Sequence, residues 1–302
     1  MQDQCRLAVS IPLDVVRRVG RRTTVEKVIS KDGTPIAVDR LGSGPALILV
    51  DGAMCSRGFG PMPPLARELA SQFTVYHYDR RGRGDSGDAE AYEVQREIDD
   101  LAAVLQYAGG TAMVFGISSG AALAAEAARQ LRGIRRLALY EAPYVIDNTH
   151  EPLPPTFIAD TKALVAGNRR TDAVKKFMRY VGTPGIVVFF MPMLPFWKKL
   201  TAIAHTLPND LEIIAPHHNS RPFPDGKWAS VTVPTLVMAG GKSPAYMQNS
   251  MRSWAKTLPN AGHRTLEGQT HMVKQSVLAP ALINFFALAP VTATEKELAL
   301  QR

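Results

Sequence analysis

Residues 111–132 read TAMVFGISSGAALAAEAARQLR, and at their centre Gly116-Ile117-Ser118-Ser119-Gly120 sets a serine between two glycines. The short apolar run before it predicts a strand and the alanine-rich run after it a helix, so Ser118 falls on the turn between them. A strand-turn-helix elbow of this kind suits nucleophilic chemistry. A serine hydroxyl is a weak nucleophile until it is exposed, aimed and served by a base. On such a turn Ser118 takes a strained backbone conformation, while Gly116 and Gly120 keep side chains clear of the strand and helix. The first amides of the helix then point to where an oxyanion would form.

Regular elements must hold that turn, and the chain supplies them in alternation. VEKVIS and TPIAVDRL predict a strand pair joined at Asp32-Gly33, a hairpin signal. ALILV (46–50) reads as a buried strand, followed by a Gly-containing loop and a helix near 65–70. FTVYHY (73–78) is the next strand, and a helix over about 93–108 follows the loop DRRGRGDSG (79–87). RRLALY (135–140), VPTLVMAG (233–240) and HRTLEG (263–268) complete the strands, with helices near 244–258 and 273–288. Short apolar strands alternating with helices predict an α/β fold, its mostly parallel sheet flanked by helices on both faces.

The alternation stops between Tyr144 and Val231, where the chain turns helical and proline-punctuated. This segment reads as a helical cap inserted over the C-terminal strand ends, where open α/β sheets bind ligands. The expected organisation is an N-terminal arm (1–23), a core (24–144 and 231–290), the cap (145–230) and a tail (291–302). The cap's middle, GIVVFFMPMLPFW (185–197), is strongly apolar, but Pro192 and Pro195 exclude a continuous membrane helix. It can serve as cap core, as the wall of an apolar pocket, or as both, and contact with a membrane surface is a third, less favoured reading. Met54, Phe190, Met193 and Trp197 are the candidate substrate-binding residues.

At 302 residues and 46% hydrophobic, the chain suits one large globular domain or a domain with an insertion. Its two cysteines are too few for a disulfide framework. Arg6, Asp14, Arg17 and Arg18 interrupt any signal-peptide core, and no stretch approaches 18 apolar residues. A cytoplasmic protein with no membrane span is expected. The net charge of +8 is spread thinly apart from Arg17, Arg18, Arg21 and Arg22, and no zinc-finger spacing or RNP-like strand accompanies it. We therefore expect a solvated basic surface, with no nucleic-acid partner and at most a weak attraction to anions. The expected partner is a hydrophobic small molecule, and a homodimer is left open.

With the elbow, the strand series and the inserted helices, the chain resembles the α/β-hydrolase superfamily from about Val25 to Leu288. DRRGRGDSG is similar to the Asp-x-Arg-Gly-x-Gly-x-Ser loop after the fourth strand of capped members, and Asp79, Arg80 and Arg83 are read as ordering that loop beneath the site. The resemblance implies a base at His271, in LEGQTHMV just after the last strand. Many members carry the acid after the strand written here VPTLVMAG, but Gly241-Lys242-Ser243-Pro244 follows it without a carboxylate. Glu141 ends the preceding strand, as in zearalenone-type lactonases whose acid follows the sixth strand, with Asp147 as the fallback. The oxyanion donors implied are the Ser119 amide and that of Ala53, or secondarily Met54, in Asp51-Gly52-Ala53-Met54. Asp51 departs from the usual first residue, and a carboxylate there is expected to turn into hydrogen bonds with its own loop.

His77 reads as a strand histidine. His217 and His218 lack further ligands at metal-binding spacing, so neither metal nor cofactor is expected. The resemblance implies a serine hydrolase acting on a carboxylic ester or lactone through an acyl-enzyme. Within the fold, carbon–carbon bond hydrolases and cofactor-free haloperoxidases keep the serine and stay open, as do a non-catalytic ligand-binding member and an acyl-transferring or cyclising biosynthetic enzyme.

Overall fold

A computed structural model describes residues 25–89 and 91–287. The expected arm at 1–23 and tail at 291–302 lie outside the described residues. The strands are β1 (Glu26–Ile29), β2 (Pro35–Leu41), β3 (Ala46–Val50), β4 (Thr74–Tyr78), β5 (Ala112–Ile117), β6 (Ile134–Tyr140), β7 (Thr235–Gly240) and β8 (Ala261–Leu266). They form one sheet in the order β1-β2-β4-β3-β5-β6-β7-β8. β1 to β2 and β2 to β4 are antiparallel, and every later pairing is parallel.

Side-chain alternation divides the core into two layers. Ile48 and Val50 of β3, Val114 of β5 and Leu137 and Leu139 of β6 belong to one buried cluster. Leu47, Leu49, Phe115, Ala138 and Tyr140 belong to the other. The first layer takes α2 (Val94–Tyr107), α3 (Ser119–Ala128) and α9 (Ala245–Thr257). The second takes α1 (Met62–Leu69) and α10 (Gln275–Ala287). Six of the ten residues of helix α3 are alanine because it lies close against the sheet. A Cβ at Gly116 would stand 2.4 Å from the Gly120 carbonyl oxygen, and one at Gly120 would stand 2.3 Å from that of Val50.

Between β6 and β7 the chain is helical, with α4 (Phe157–Ala166), α5 (Arg170–Tyr180), α6 (Gly185–Phe190), α7 (Trp197–Ala202), α8 (Leu207–Ile214) and three short 3-10 turns. Helix α8 packs on α3, which joins these inserted helices to the elbow. A parallel bridge between Val145 and His218 closes the base of the insertion.

Candidate active site

Ser118 lies between β5 and α3 with φ 57° and ψ −131°, a conformation that L-residues rarely hold and that functional turns store. Its amide is held by the Tyr140 carbonyl of the neighbouring strand at 2.9 Å. Glu141, one residue past β6, is also left-handed at φ 45°. Its carboxylate is fully buried and satisfied on both sides: Oε1 accepts the Gly240 N–H at 2.7 Å, and Oε2 lies 2.9 Å from His271 Nδ1. The end of β7 thus contributes an amide that anchors the carboxylate just past β6. Tyr140 donates its hydroxyl to the Thr270 carbonyl at 2.6 Å, which fixes the loop carrying His271. Neither His271 Nε2 nor Ser118 Oγ has a hydrogen-bond partner among the described residues, so both remain available to a ligand. Asp147, the fallback acid, instead engages Thr149 and Asn249.

The loop after β3 presses on the nucleophile. A Cβ at Gly52 would stand 2.8 Å from Ser118 Cβ and 3.4 Å from its Oγ, so only glycine fits. The amides of Ala53, Met54 and Ser119 have no hydrogen-bond partner among the described residues. Met54 holds φ 61° and is buried.

Asp51 does not bond within its own loop, contrary to expectation. Its Oδ2 meets His77 Nε2 of β4 at 2.7 Å, because β3 and β4 are adjacent and Leu49 lies opposite His77. Its Oδ1 has no partner. Burial pushes the Asp51 carboxyl above the usual range against the opposing pull of His77, Arg83 and Arg80. A carboxyl held toward its neutral form opposes a developing oxyanion less.

Beneath this loop the three arginines of DRRGRGDSG are all buried. Arg80 forks onto both oxygens of Glu97 at 2.6 Å and reaches Asp210 Oδ1 at 2.6 Å. Arg83 donates to the Gly52 carbonyl at 2.6 Å, to Asp210 Oδ2 at 2.7 Å and to the Cys55 carbonyl at 3.3 Å. Ser119 completes the cluster by donating its hydroxyl to Asp210 Oδ1 at 2.6 Å. Burial raises the Asp210 pKa, but Arg83, Arg80 and Ser119 outweigh it and hold the carboxylate below its usual range. Asp79 orders the same loop by accepting the amides of Arg57 and Asp85. Glu97 and Asp210 were not singled out from the sequence. The only available signal was two acidic residues on otherwise amphipathic helices that had to find the buried arginines.

The four candidate substrate-binding residues fall in two places. Met54 and Trp197 share a buried cluster with Val188 and Leu200, over the β3 loop. Phe190 and Met193 lie outward, 50% and 80% exposed. A surface cleft of about 580 Å³ is lined by Phe157, Arg169, Lys175 and Arg179 among others, and no triad candidate reaches it. No group of three His, Cys, Asp or Glu gathers at metal-binding distance among the described residues.

A doubly flanked, mostly parallel sheet with a strained serine at the elbow is the architecture of the α/β hydrolases. The model of the Alpha/beta hydrolase family matches residues 34–273, and the chain belongs to that family. An α/β hydrolase from Sphaerobacter thermophilus DSM 20745 is similar at 48% identity and a TM-score of 0.80, covering 86% of this chain and 100% of its own. More distant in sequence, an esterase from Thermogutta terrifontis shares 21% identity over 87% of this chain and 98% of its own, with a TM-score of 0.63. An enol-lactonase from Burkholderia xenovorans LB400 shares 17% over 87% and 100%, with a TM-score of 0.65. These two show the shared fold alone.

Proposed function

We propose that this chain is a serine hydrolase that cleaves a carboxylic ester or lactone of a hydrophobic small molecule through an acyl-enzyme. The observation that carries the proposal is the His271–Glu141 hydrogen bond, formed beside a serine held in the elbow conformation. Ser118 Oγ attacks the carbonyl carbon while His271 Nε2 takes its proton, and the carbonyl pair moves onto the oxygen as an oxyanion. The Ala53 and Ser119 amides receive that oxyanion. Collapse of the tetrahedral intermediate expels the alkoxy group, which takes the proton from His271 and leaves an acyl-Ser118. Water then repeats the sequence with His271 as base, releasing the acid. Glu141 orients the imidazole and stabilises its charged form, and Gly240 holds Glu141. Inserted helices with Met54 and Trp197 in one apolar cluster favour a hydrophobic acyl or ring system at the cap side.

The test is labelling with a fluorophosphonate probe alongside turnover of p-nitrophenyl esters and macrolactones. Wild-type chain should be labelled at Ser118 and should turn over at least one substrate class, whereas Ser118→Ala should do neither while keeping its fold. Undiminished hydrolysis by Ser118→Ala would sink the assignment.

A further inference from the structure

The apolar run at 185–197 is only partly absorbed by the inserted helices. Val188 and Met191 turn inward to the cluster under Met54, while Ile186, Val187, Phe189, Phe190, Met193 and Leu194 are exposed. Phe189 is 66% exposed, as is Ile186. Large apolar side chains scattered singly over a surface are ordinary, but six within nine positions form a patch that something covers.

The charge around this patch indicates what that is. From Ala173 to Asn209 the chain has no aspartate or glutamate, yet it carries Lys175, Lys176, Arg179, Lys198 and Lys199. Helix α5, which bears the first three, packs against both α6 and α7. Lys176 is neutralised by Asp160. Lys175, Arg179, Lys198 and Lys199 make no ion pair among the described residues, and Lys198 and Lys199 lie exposed directly after the apolar run. Lys175 and Arg179 also line the cleft between α4 and α5. The face is therefore apolar at its crest and cationic on both flanks.

We propose that this face docks on an anionic lipid surface, the apolar crest entering the headgroup boundary and Lys175, Arg179, Lys198 and Lys199 (the last also over the Phe59 ring) meeting lipid phosphates. Aromatic and aliphatic side chains flanked by Lys and Arg are the chemistry of an interfacial segment, lying on a bilayer without crossing it. No helix among the described residues is long and apolar enough to cross a membrane, which fits adsorption. Other occupants fail on charge. A second copy related by a two-fold axis would bring cation against cation. Residues 1–24 carry five arginines against two aspartates, so they match the face in sign and do not complement it. Residues 288–302 offer two glutamates balanced by Lys296 and Arg302.

Co-sedimentation with sucrose-loaded vesicles tests the proposal on the full chain. Vesicles of phosphatidylcholine alone are compared with equal parts of phosphatidylcholine and phosphatidylglycerol, at low and at physiological salt. Wild-type chain should partition onto the anionic vesicles and not the neutral ones, and rising salt should weaken it. Two double variants change only exposed side chains: Ile186→Ser/Phe189→Ser and Lys198→Glu/Lys199→Glu. Each should retain the wild-type melting temperature and lose about tenfold or more in partitioning. Absence of wild-type binding to anionic vesicles, equal binding to neutral ones, or unchanged binding by either variant would overturn it. So would a dimer in analytical ultracentrifugation that Ile186→Ser/Phe189→Ser makes monomeric, since a second copy would then own the face.

Discussion

Arg83 Nη1 donates to the carbonyl oxygen of Gly52 at 2.6 Å, and so grips the peptide plane whose opposite edge is the Ala53 N–H. In a trans peptide the two groups point in opposite directions, so holding one aims the other. The same guanidinium binds Asp210, which also receives the Ser119 hydroxyl. Both proposed oxyanion donors therefore lie at peptides or residues tied to one buried ion cluster, and Asp210, which joins the two ties, comes from α8 of the inserted helices.

Arg83→Met should lower kcat by roughly ten- to a hundredfold with KM changed little, because an aimed donor contributes mainly in the transition state. Steady-state kinetics on a short, soluble ester give the split. A rise in KM at constant kcat would mean that Arg83 serves binding instead. Asp210→Asn should be harsher on the fold, about 3–5 kcal/mol by denaturant titration, because Arg80 and Arg83 then keep buried charges short of a partner.

Glu141→Gln should preserve the fold and reduce kcat by about three to four orders of magnitude, since an amide no longer selects the imidazole tautomer or supports its charge. Asp147→Asn, run beside it, should stay within about twofold of wild type because Asp147 is occupied with Thr149 and Asn249. Equal losses in the two variants would refute the choice of acid.

Two glycine substitutions should separate activity from stability. At Gly52 the added methyl meets the Ser118 side chain, so Gly52→Ala should fold and lose most of its acylation rate in a burst assay. At Gly120 it meets backbone oxygens of Val50 and Asp51 at 2.3 and 2.5 Å, which cannot move without parting helix and sheet. Gly120→Ala should cost more than about 3 kcal/mol in urea unfolding.

Stability should fall as pH drops from 6.5 toward 4. Burial lowers both His217 and His218 from 6.5 to about 4, with the nearby Lys227 adding to the effect at His217. The unfolded chain then takes up protons through pH 6.5 while the folded chain refuses them until about 4, so the folded state loses ground across that window. Each histidine accounts for on the order of 3 kcal/mol over the whole window. His217 packs among Tyr144, Phe223 and Trp228, so His217→Phe should keep the packing and flatten the melting temperature against pH.

The elements that position the site were legible because short apolar runs alternate with helical stretches along the chain. ALILV and AMVFGI are apolar throughout because their alternate side chains enter two core layers, while the elbow glycines meet the first turn of α3 and the distant end of β3. Glu141 could be found because it ends a strand beside the elbow strand. Asp210 could not: it meets Arg80 and Arg83 across 130 and 127 positions, and an aspartate on a helix reads as solvated until the partner surface is known. Asp51 turned to His77 because β3 and β4 are neighbouring parallel strands and Asp51 follows by two positions the Leu49 that lies opposite His77, a relation no single segment encodes. Phe190 and Met193 read like the rest of their apolar run, yet α6 is only six residues long and offers the core a narrow stripe.

The anchoring of Glu141 by Gly240 and of His271 by Glu141 also orders events in time. On a ribosome Ser118 emerges 153 residues before His271 (271 − 118), a delay of about 8 to 30 s at ordinary elongation rates. Throughout that interval the proposed nucleophile lacks its proposed base, and Glu141 lacks the Gly240 amide that holds it until β7 is made. On the proposed mechanism, a nascent or truncated chain ending before β8 lacks His271 and should hydrolyse no ester.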